Sequence, residues 1–260
     1  MAQHDAGGER LQTVEALLGS LTCDKPVRSV QAGVYWTAVV LEGTPPRCGL
    51  ASTLRSENHD ATPPVLEAGA LLERSGRELA TLLRSPRIVE ASIGMAAVNA
   101  MLDIDEASCQ ELNAAELLTK RAEGRRVAVV GHFPFVKRLR QVAASCAVLE
   151  QRPRPGDLMQ DHAAEVLPEA DVVAITGTSI INHTFDDLVD LCQPSAFVVV
   201  LGGSAPLSSV LLERGVSAIS GTTIVDVDAA VRAVAQGATF RQIPGRRLLS
   251  LLRTDEGGAP

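Results

Sequence analysis

Residues 126–150 read RVAVVGHFPFVKRLRQVAASCAVLE, and this stretch decides the fold. An apolar run, VAVVG (127–131), ends in glycine. A helical stretch, PFVKRLRQVA, follows, and then a second apolar run, CAVLE (146–150). A short continuous apolar run has no polar face, so it suits a strand covered on both sides. The pattern recurs in DVVAITG (171–177), AFVVVLGG (196–203) and VSAISG (216–221). Helical stretches lie between them, near 162–167, 184–192, 206–214 and 228–236. Five runs separated by helices predict a parallel sheet with helices on both faces. The class is α/β, doubly wound and Rossmann-like.

Upstream the grammar differs. Leu11, Val14, Leu17, Leu18 and Leu21 recur at helical spacing. RSVQAGVYWTAVVLEG (28–43) predicts one long strand, GTPP (43–46) a turn, and CGLASTL (48–54) a partner strand. Residues 55–64 are polar and predict a loop. The leucines of 66–84 predict a helix with a break at Gly76. IVEASIGMAAVNAML (88–102) predicts a buried helix whose Gly94 and alanines permit close packing. The expected organisation is a smaller α+β domain over 9–102, a linker over 103–112, and the α/β domain over 113–253. The first eight residues and the segment from Thr254 onward are polar and Gly-rich and read as loose ends.

Composition narrows the function classes. Apolar residues are 46% of the 260, enough for a core without disulfides or metal. Aromatics are 3%, which argues against a stacking platform for single-stranded nucleic acid. The net charge is −7, unfavourable for binding a phosphate backbone. Residues 1–124 hold 11 basic and 17 acidic side chains, and residues 125–260 hold 13 and 14. An anionic small ligand therefore prefers the second half. Only Lys25, Lys120 and Lys137 are lysines among 24 basic residues, and the arginine excess reads as coding bias. Five widely spaced cysteines (23, 48, 109, 146, 192) without CxxC predict reduced thiols. No signal peptide or spanning apolar run is visible, so the expected location is cytoplasmic.

Open α/β sheets bind ligands beyond the carboxyl ends of their strands. After the first run come Gly131, His132, Phe133 and Pro134. Gly131 permits a tight turn, and Pro134 suits the first position of a helix, which would turn free N–H groups toward an anion. GxGxxG is absent, so a nicotinamide cofactor is not supported. Glu150 follows the second run. It is either a solvent-facing strand end or an acceptor for ribose hydroxyls. Thr176, Gly177 and Thr178 follow the third, then Asn182, His183 and Thr184. Thr184 and Asp187 have capping-box spacing, so Asn182 and Thr184 read as helix caps or as ligand contacts. Gly202, Gly203 and Ser204 follow the fourth run, and Gly221 and Thr222 the fifth. Glycine and hydroxyl residues at four of five strand ends predict a ligand rim.

Metal ligation is weakly supplied. No HExxH or Cys/His finger spacing occurs. His132 and His183 both follow strands of one sheet and read as loop residues or as metal ligands facing one crevice. Cys146 and Cys192 read as small core hydrophobes. Ser204 lacks a GxSxG setting and an evident base. Any metal binding should be weak, or should depend on donors from a bound metabolite.

VVGHFPFVKRL, VLEQRPRPGD, LPEADVVAITGTSIINHTFDDLV, VVVLGGSAPLSSVLLERGV and ISGTTIVD together resemble the C-terminal domain of the heavy-metal chelation family. GVYWTAVVL, CGLASTL and EASIGMAAVNAML resemble its N-terminal partner. The resemblance covers most of residues 11–245. It implies an enolase N-terminal-like domain followed by a Rossmann-like domain, with a pocket between them. Two positions depart from the family pattern: His183 where Gly is common, and Gly203 where Pro is common. The resemblance also points to Glu90, Ser92 and Asn99, polar groups on an apolar helix. They either bond backbone or face the interdomain cleft.

The combined reading is a two-domain protein that binds a small polar or anionic ligand in that cleft. The cofactor is unspecified, with a divalent metal ion or a metal chelate as the candidate. The rival reading is an enzyme acting on a nucleotide-like or phosphorylated metabolite, with Glu90, Glu150 or His132 as acid–base groups. A third is a non-catalytic sensor with the same cleft. The residues do not decide between enzyme and binding protein. Expected partners are a small molecule or metal ligand, with no nucleic acid and no membrane; assembly into a homo-oligomer is left open.

Overall fold

The computed structural model describes residues 11–55 and 63–253. The expected loose ends and most of the expected 55–64 loop lie outside the described residues.

The first domain opens with α1 (Gln12–Ser20), which buries Val14, Leu17 and Leu18. Residues 28–43 are not one strand. They form β1 (Val27–Ala32) and β2 (Trp36–Leu41), antiparallel neighbours that reverse at 33–35. The Gly33 N–H closes the turn on the Trp36 carbonyl at 2.9 Å. β3 (Arg47–Ser52) pairs antiparallel with β2, as expected. Residues 66–84 are not one helix either. Two 3₁₀ turns, Leu71–Glu73 and Thr81–Arg84, flank the short α2 (Gly76–Ala80), which a Ser75–Glu78 capping box starts. α3 (Ile88–Met101) is buried along almost its whole length.

The three-stranded sheet is covered on both faces. Val39, Leu41 and Ala51 share a core with the inner side chains of α3. Ala38, Val40 and Leu50 pack with Ala230 and Val234 of α10 (Val227–Ala235), a helix of the second domain. Double coverage explains why β2 is continuously apolar and why no alternation marks its start.

The second domain contains α4 (Ala114–Ala122), β5 (Arg126–Val130), α5 (Val136–Val142), β6 (Ser145–Glu150), β7 (Leu158–Met159) and α6 (Ala163–Val166). It continues with β8 (Val172–Thr176), α7 (Thr178–Ile181), α8 (Phe185–Asp190), β9 (Phe197–Leu201), α9 (Ser209–Glu213), β10 (Ala218–Ile224), α10 and β11 (Arg246–Leu252). With β4 (Cys109–Gln110) they form an eight-stranded sheet ordered β4-β11-β10-β9-β8-β5-β6-β7. β5, β6, β8, β9 and β10 run parallel, as the five apolar runs predict, and the two-residue β7, which no apolar run marks, adds parallel to β6.

The edges differ from the expectation of a purely parallel sheet. β11 runs antiparallel to β10, and β4 antiparallel to β11. β4 lies within the stretch expected to be only a linker. β11 begins with two arginines and carries Ser250, whose hydroxyl pairs with that of Ser220 at 2.7 Å, so it lacks the apolar signature of an interior strand. α5 starts at Val136, beyond Pro134, and its first turn has no side-chain cap. One apolar cluster runs through both domains, joining Leu17, Met95 and Val98 to Val130, Ile175 and Val200. α4 and α5 cover the other sheet face through Leu118 and Leu139. No described helix is long and apolar enough to cross a membrane.

Candidate functional site

The strand order reverses at β5: β6 and β7 lie on one side, β8 to β10 on the other. Loops at the carboxyl ends part at such a reversal and leave a crevice. Two cavities open there. The larger, about 950 Å³, lies between the loops after β5, β8 and β9, residues 220–222 within β10, the 111–115 stretch, the 240–249 segment, and Trp36 and Ser52 of the first domain. The smaller, about 300 Å³, is lined by Glu150, Gln151, Gln160, Asn182 and Thr184 among others.

Most of the predicted rim comes together here. Gly177, Gly202, Gly203, Ser204, Gly221 and Thr222 line the large cleft. Gly131, Glu150 and Asn182 line the small one. His132, Phe133, Thr176 and Thr178 border both. Glu90, Asn99 and His183 line neither.

Glu90 is a local brace. Its carboxylate accepts from the Leu66 N–H at 2.8 Å and from the Ser85 hydroxyl at 2.5 Å. Ser92 donates to the Ile88 carbonyl at 2.8 Å and accepts from the Leu54 N–H at 3.1 Å. Asn99 joins the domains, its amide donating to the carbonyls of Leu50 (2.8 Å) and Ser204 (3.3 Å). The Ser204 hydroxyl accepts from the Ser52 N–H at 2.8 Å and lies 3.1 Å from the Ser52 hydroxyl. These bonds close the floor of the large cleft between β3 and the loop after β9.

The two histidines do not share a crevice. His183 has φ +60°, and its Nε2 lies 2.7 Å from the Leu83 carbonyl of the first domain. That left-handed backbone is one that glycine adopts without strain. The Thr184 hydroxyl donates to Asn182 Oδ1 at 2.8 Å, and α8 has no side-chain cap, so the Thr184–Asp187 capping pair does not form.

His132 Nδ1 lies 3.2 Å from Asp157 Oδ2. The Asp157 side chain is only 1% exposed and also accepts from Arg140 at 3.0 Å and the Arg154 N–H at 3.2 Å. Burial alone would raise its carboxyl, but bonds from the Arg154 N–H, His132 and Arg140 outweigh burial and hold it below the usual range. A carboxylate on Nδ1 fixes the ring and leaves Nε2 as the nitrogen available to a ligand. Among the described residues, no group of three or more His, Cys, Asp and Glu can hold a metal ion.

Several cleft residues escape sequence reasoning: Trp36, Phe240, Arg241, Arg246 and Arg247. Arg247 is neutralised by Glu106 at 2.7 Å and Glu111 at 2.8 Å. Arg246 donates to the carbonyls of Arg241 (2.9 Å) and Ile243 (2.5 Å) and lies 5.3 Å over the Phe240 ring. Among the described residues the Arg241 guanidinium has no partner, and Glu111 is the only carboxylate lining the cleft. The cleft is cationic in a chain of net charge −7. A signal existed in FRQIPGRR (240–247), with three arginines in eight residues.

Residues 113–252 match the model of the DUF364 family, described as "putative heavy-metal chelation". Residues 14–102 match DUF4213, which carries the same description. An uncharacterized protein of Methanocaldococcus jannaschii is 30% identical over 169 residues, 62% of this chain and 64% of that protein's length. A DUF364-family crystal structure from Desulfitobacterium hafniense DCB-2 superposes with a TM-score of 0.80 at 25% identity, over 96% of this chain and 100% of that one. A second, from Pyrococcus horikoshii, superposes at 0.79 and 21% identity, over 94% and 99% of the two chains. This second likeness is one of fold.

Proposed function

Since the chain belongs to the DUF364 family, we propose that it binds a metal already held by an organic chelator, in the large cleft between the 9–102 and 113–253 domains. The observation that carries this reading is an imbalance of donors. The cleft is roomy and cationic, yet among the described residues no metal-binding cluster exists. Tight first-row metal sites need several convergent protein donors. Here one positioned imidazole, His132, is on offer, and a chelator supplies the remaining donors. A chelator rich in carboxylates suits the arginines.

Calorimetry tests this with bare Ni²⁺ and with preformed nickel citrate. The expected result is binding of the chelate, weakened by His132→Ala, and bare-ion binding weaker than micromolar. Tight stoichiometric binding of the bare ion, unchanged in His132→Ala, overturns the reading.

A second reading draws on the small cavity. Glu150 lines it without a partner among the described residues, and His132 borders it. That pair suits acid–base work on a nucleotide-like or phosphorylated metabolite. Turnover of such a compound, lost in Glu150→Gln, favours the enzyme over the binding protein.

A further inference from the structure

The chain contains one Trp, one Tyr and five Phe. Four of these seven aromatic residues, Trp36, Phe133, Phe135 and Phe240, line the large cleft. They come from three separate places: the start of β2, the loop after β5, and the segment before β11. Of the other three, Phe185 is buried in the main core, Phe197 packs against the second apolar cluster and Tyr35 is exposed, so the cleft holds more aromatic residues than either of those clusters takes from elsewhere.

The rings form two contacting pairs. Trp36 and Phe240 have centroids 4.9 Å apart at 36°, and Phe133 and Phe135 stack at 5.1 Å and 10°. All four are half-buried, so ring surface remains open to an occupant. Gly203 lies against the first pair: a Cβ there would fall 2.6 Å from the Phe240 ring and 2.7 Å from that of Trp36. The absence of a side chain lets Trp36 and Phe240 sit directly on the backbone at the edge of the sheet. Arg246 is over Phe240, and Arg241, whose guanidinium has no partner among the described residues, is next to Phe240 in the chain. The buried Thr222 hydroxyl, also on the cleft lining, has no partner among the described residues.

Resting on the chelate reading above, we infer that the chelator is a planar conjugated polycarboxylate, held by its π-face on the aromatic side chains and by its carboxylates on Arg241 and Arg246. Aromatic side chains favour offset stacking on flat π-systems. Guanidinium groups bind carboxylates through paired, charge-assisted hydrogen bonds. A cleft of about 950 Å³ lies at the upper end of ordinary ligand pockets and has room for a large ring system. An open-chain polycarboxylate uses the arginines but not the rings. A flat neutral heterocycle uses the rings but not the arginines.

Trp36 is the only tryptophan, so its fluorescence reports on the cleft alone. The probes are coproporphyrin III and benzene-1,3,5-tricarboxylate as flat polycarboxylates of two sizes, citrate as an open-chain anion, and adenosine as a flat neutral ring. Calorimetry runs beside the fluorescence. The expected result is saturable quenching by at least one flat carboxylate, with affinity at least about tenfold above citrate and adenosine. Arg241→Glu removes that advantage. Arg125→Glu, at the opposite end of the sheet, leaves it within about twofold. Both variants are checked for native circular dichroism and thermal unfolding.

Citrate or adenosine binding as tightly as the flat carboxylates overturns the inference, as does quenching indifferent to Arg241→Glu. If nickel citrate binds in a His132-dependent way while both flat carboxylates fail, the ligand class is wrong and the chelate reading stands. If nickel citrate fails and a flat carboxylate binds, the ligand class stands and the metal part of the chelate reading falls. If nothing binds, both readings fall.

Discussion

The Ser204 hydroxyl accepts the Ser52 backbone N–H at 2.8 Å, joining residues 152 positions apart in the chain. Ser204 is 2% exposed, so this bond is a buried seam between the β3 edge and the loop after β9. Both residues also line the large cleft. Cleft shape and domain docking are therefore set by the same contact.

Ser204→Ala leaves the Ser52 N–H without its acceptor. A buried donor stripped of its partner costs about 1–3 kcal/mol. Urea unfolding is expected to show a lower midpoint with an unchanged slope, the product of slope and midpoint falling by that amount. An unshifted midpoint would show that water replaces the hydroxyl.

At His183 the backbone and the side chain make separate demands. His183→Ala loses the contact with the Leu83 carbonyl and keeps a non-glycine residue at φ +60°. His183→Gly loses the same contact but suits the backbone. The glycine variant should be the more stable of the two by about 1 kcal/mol. Thermal unfolding of the pair measures the difference. Chelate affinity should be equal in both, because His183 lines neither cavity.

Asp157 gives a pH signature. Its carboxyl is held below its ordinary value of 3.8 in the folded chain. The stability it contributes is thus complete above that value and lost as pH falls through the lower folded value. Asp157→Asn removes the contribution. The gap in urea midpoint between wild type and variant should be widest near neutrality and close below pH 3.8. A gap that persists unchanged in strong acid contradicts the assignment.

The cysteines are expected to react in a fixed order. Burial pushes the Cys48 thiol up to about 12 and, with a smaller contribution from the nearby Asp190 charge, the Cys192 thiol up to about 11. Cys23 is exposed. Iodoacetamide at neutral pH should label Cys23 first and Cys48 only on unfolding, because the thiolate is the reactive form. Peptide mass spectrometry reads the order. Early labelling of Cys48 would mean that β3 opens in the native state.

The interior of the large sheet is legible in the sequence because its strands are buried on both faces and need only apolar residues between helices. Val127–Val130 and Val172–Ile175 announce themselves in this way. The glycine and hydroxyl rim follows at the ends of β5, β8 and β9, where the chemistry beyond a strand end is local in sequence, whereas Gly221 and Thr222, expected after the fifth strand, lie inside β10, which runs on to Ile224. What escapes reading depends on distant chain segments meeting. The reversal between β1 and β2 is hidden because α10, far along the chain, covers the second face and erases the alternation. β4 is a two-residue edge strand that needs no apolar run, and β11, antiparallel between β4 and β10, opens on two partly exposed arginines and carries a serine paired with Ser220. Trp36 reaches the cleft only through domain docking. Arg241 and Arg246 look like a general arginine excess until β11 folds back beside β10. His183 misleads for a different reason: its place in the chain suggests a ligand, whereas its backbone dihedral and its bond to Leu83 are structural.

The covering of the small sheet by α10 has a consequence for how such a chain can evolve. Residues 14–102 and 113–252 match two different family models, yet neither segment carries its own complete interior. Ala38, Val40 and Leu50 find their cover on Ala230 and Val234, and the main core passes through both segments. A gene break within 103–112 would leave each fragment with an apolar face and no solvent-compatible surface to replace it. Each segment therefore depends on the other for its cover, and a substitution on the α10 face bears directly on the packing of β2 and β3. Lineages that trade one segment for an unrelated module would first have to rebuild that face.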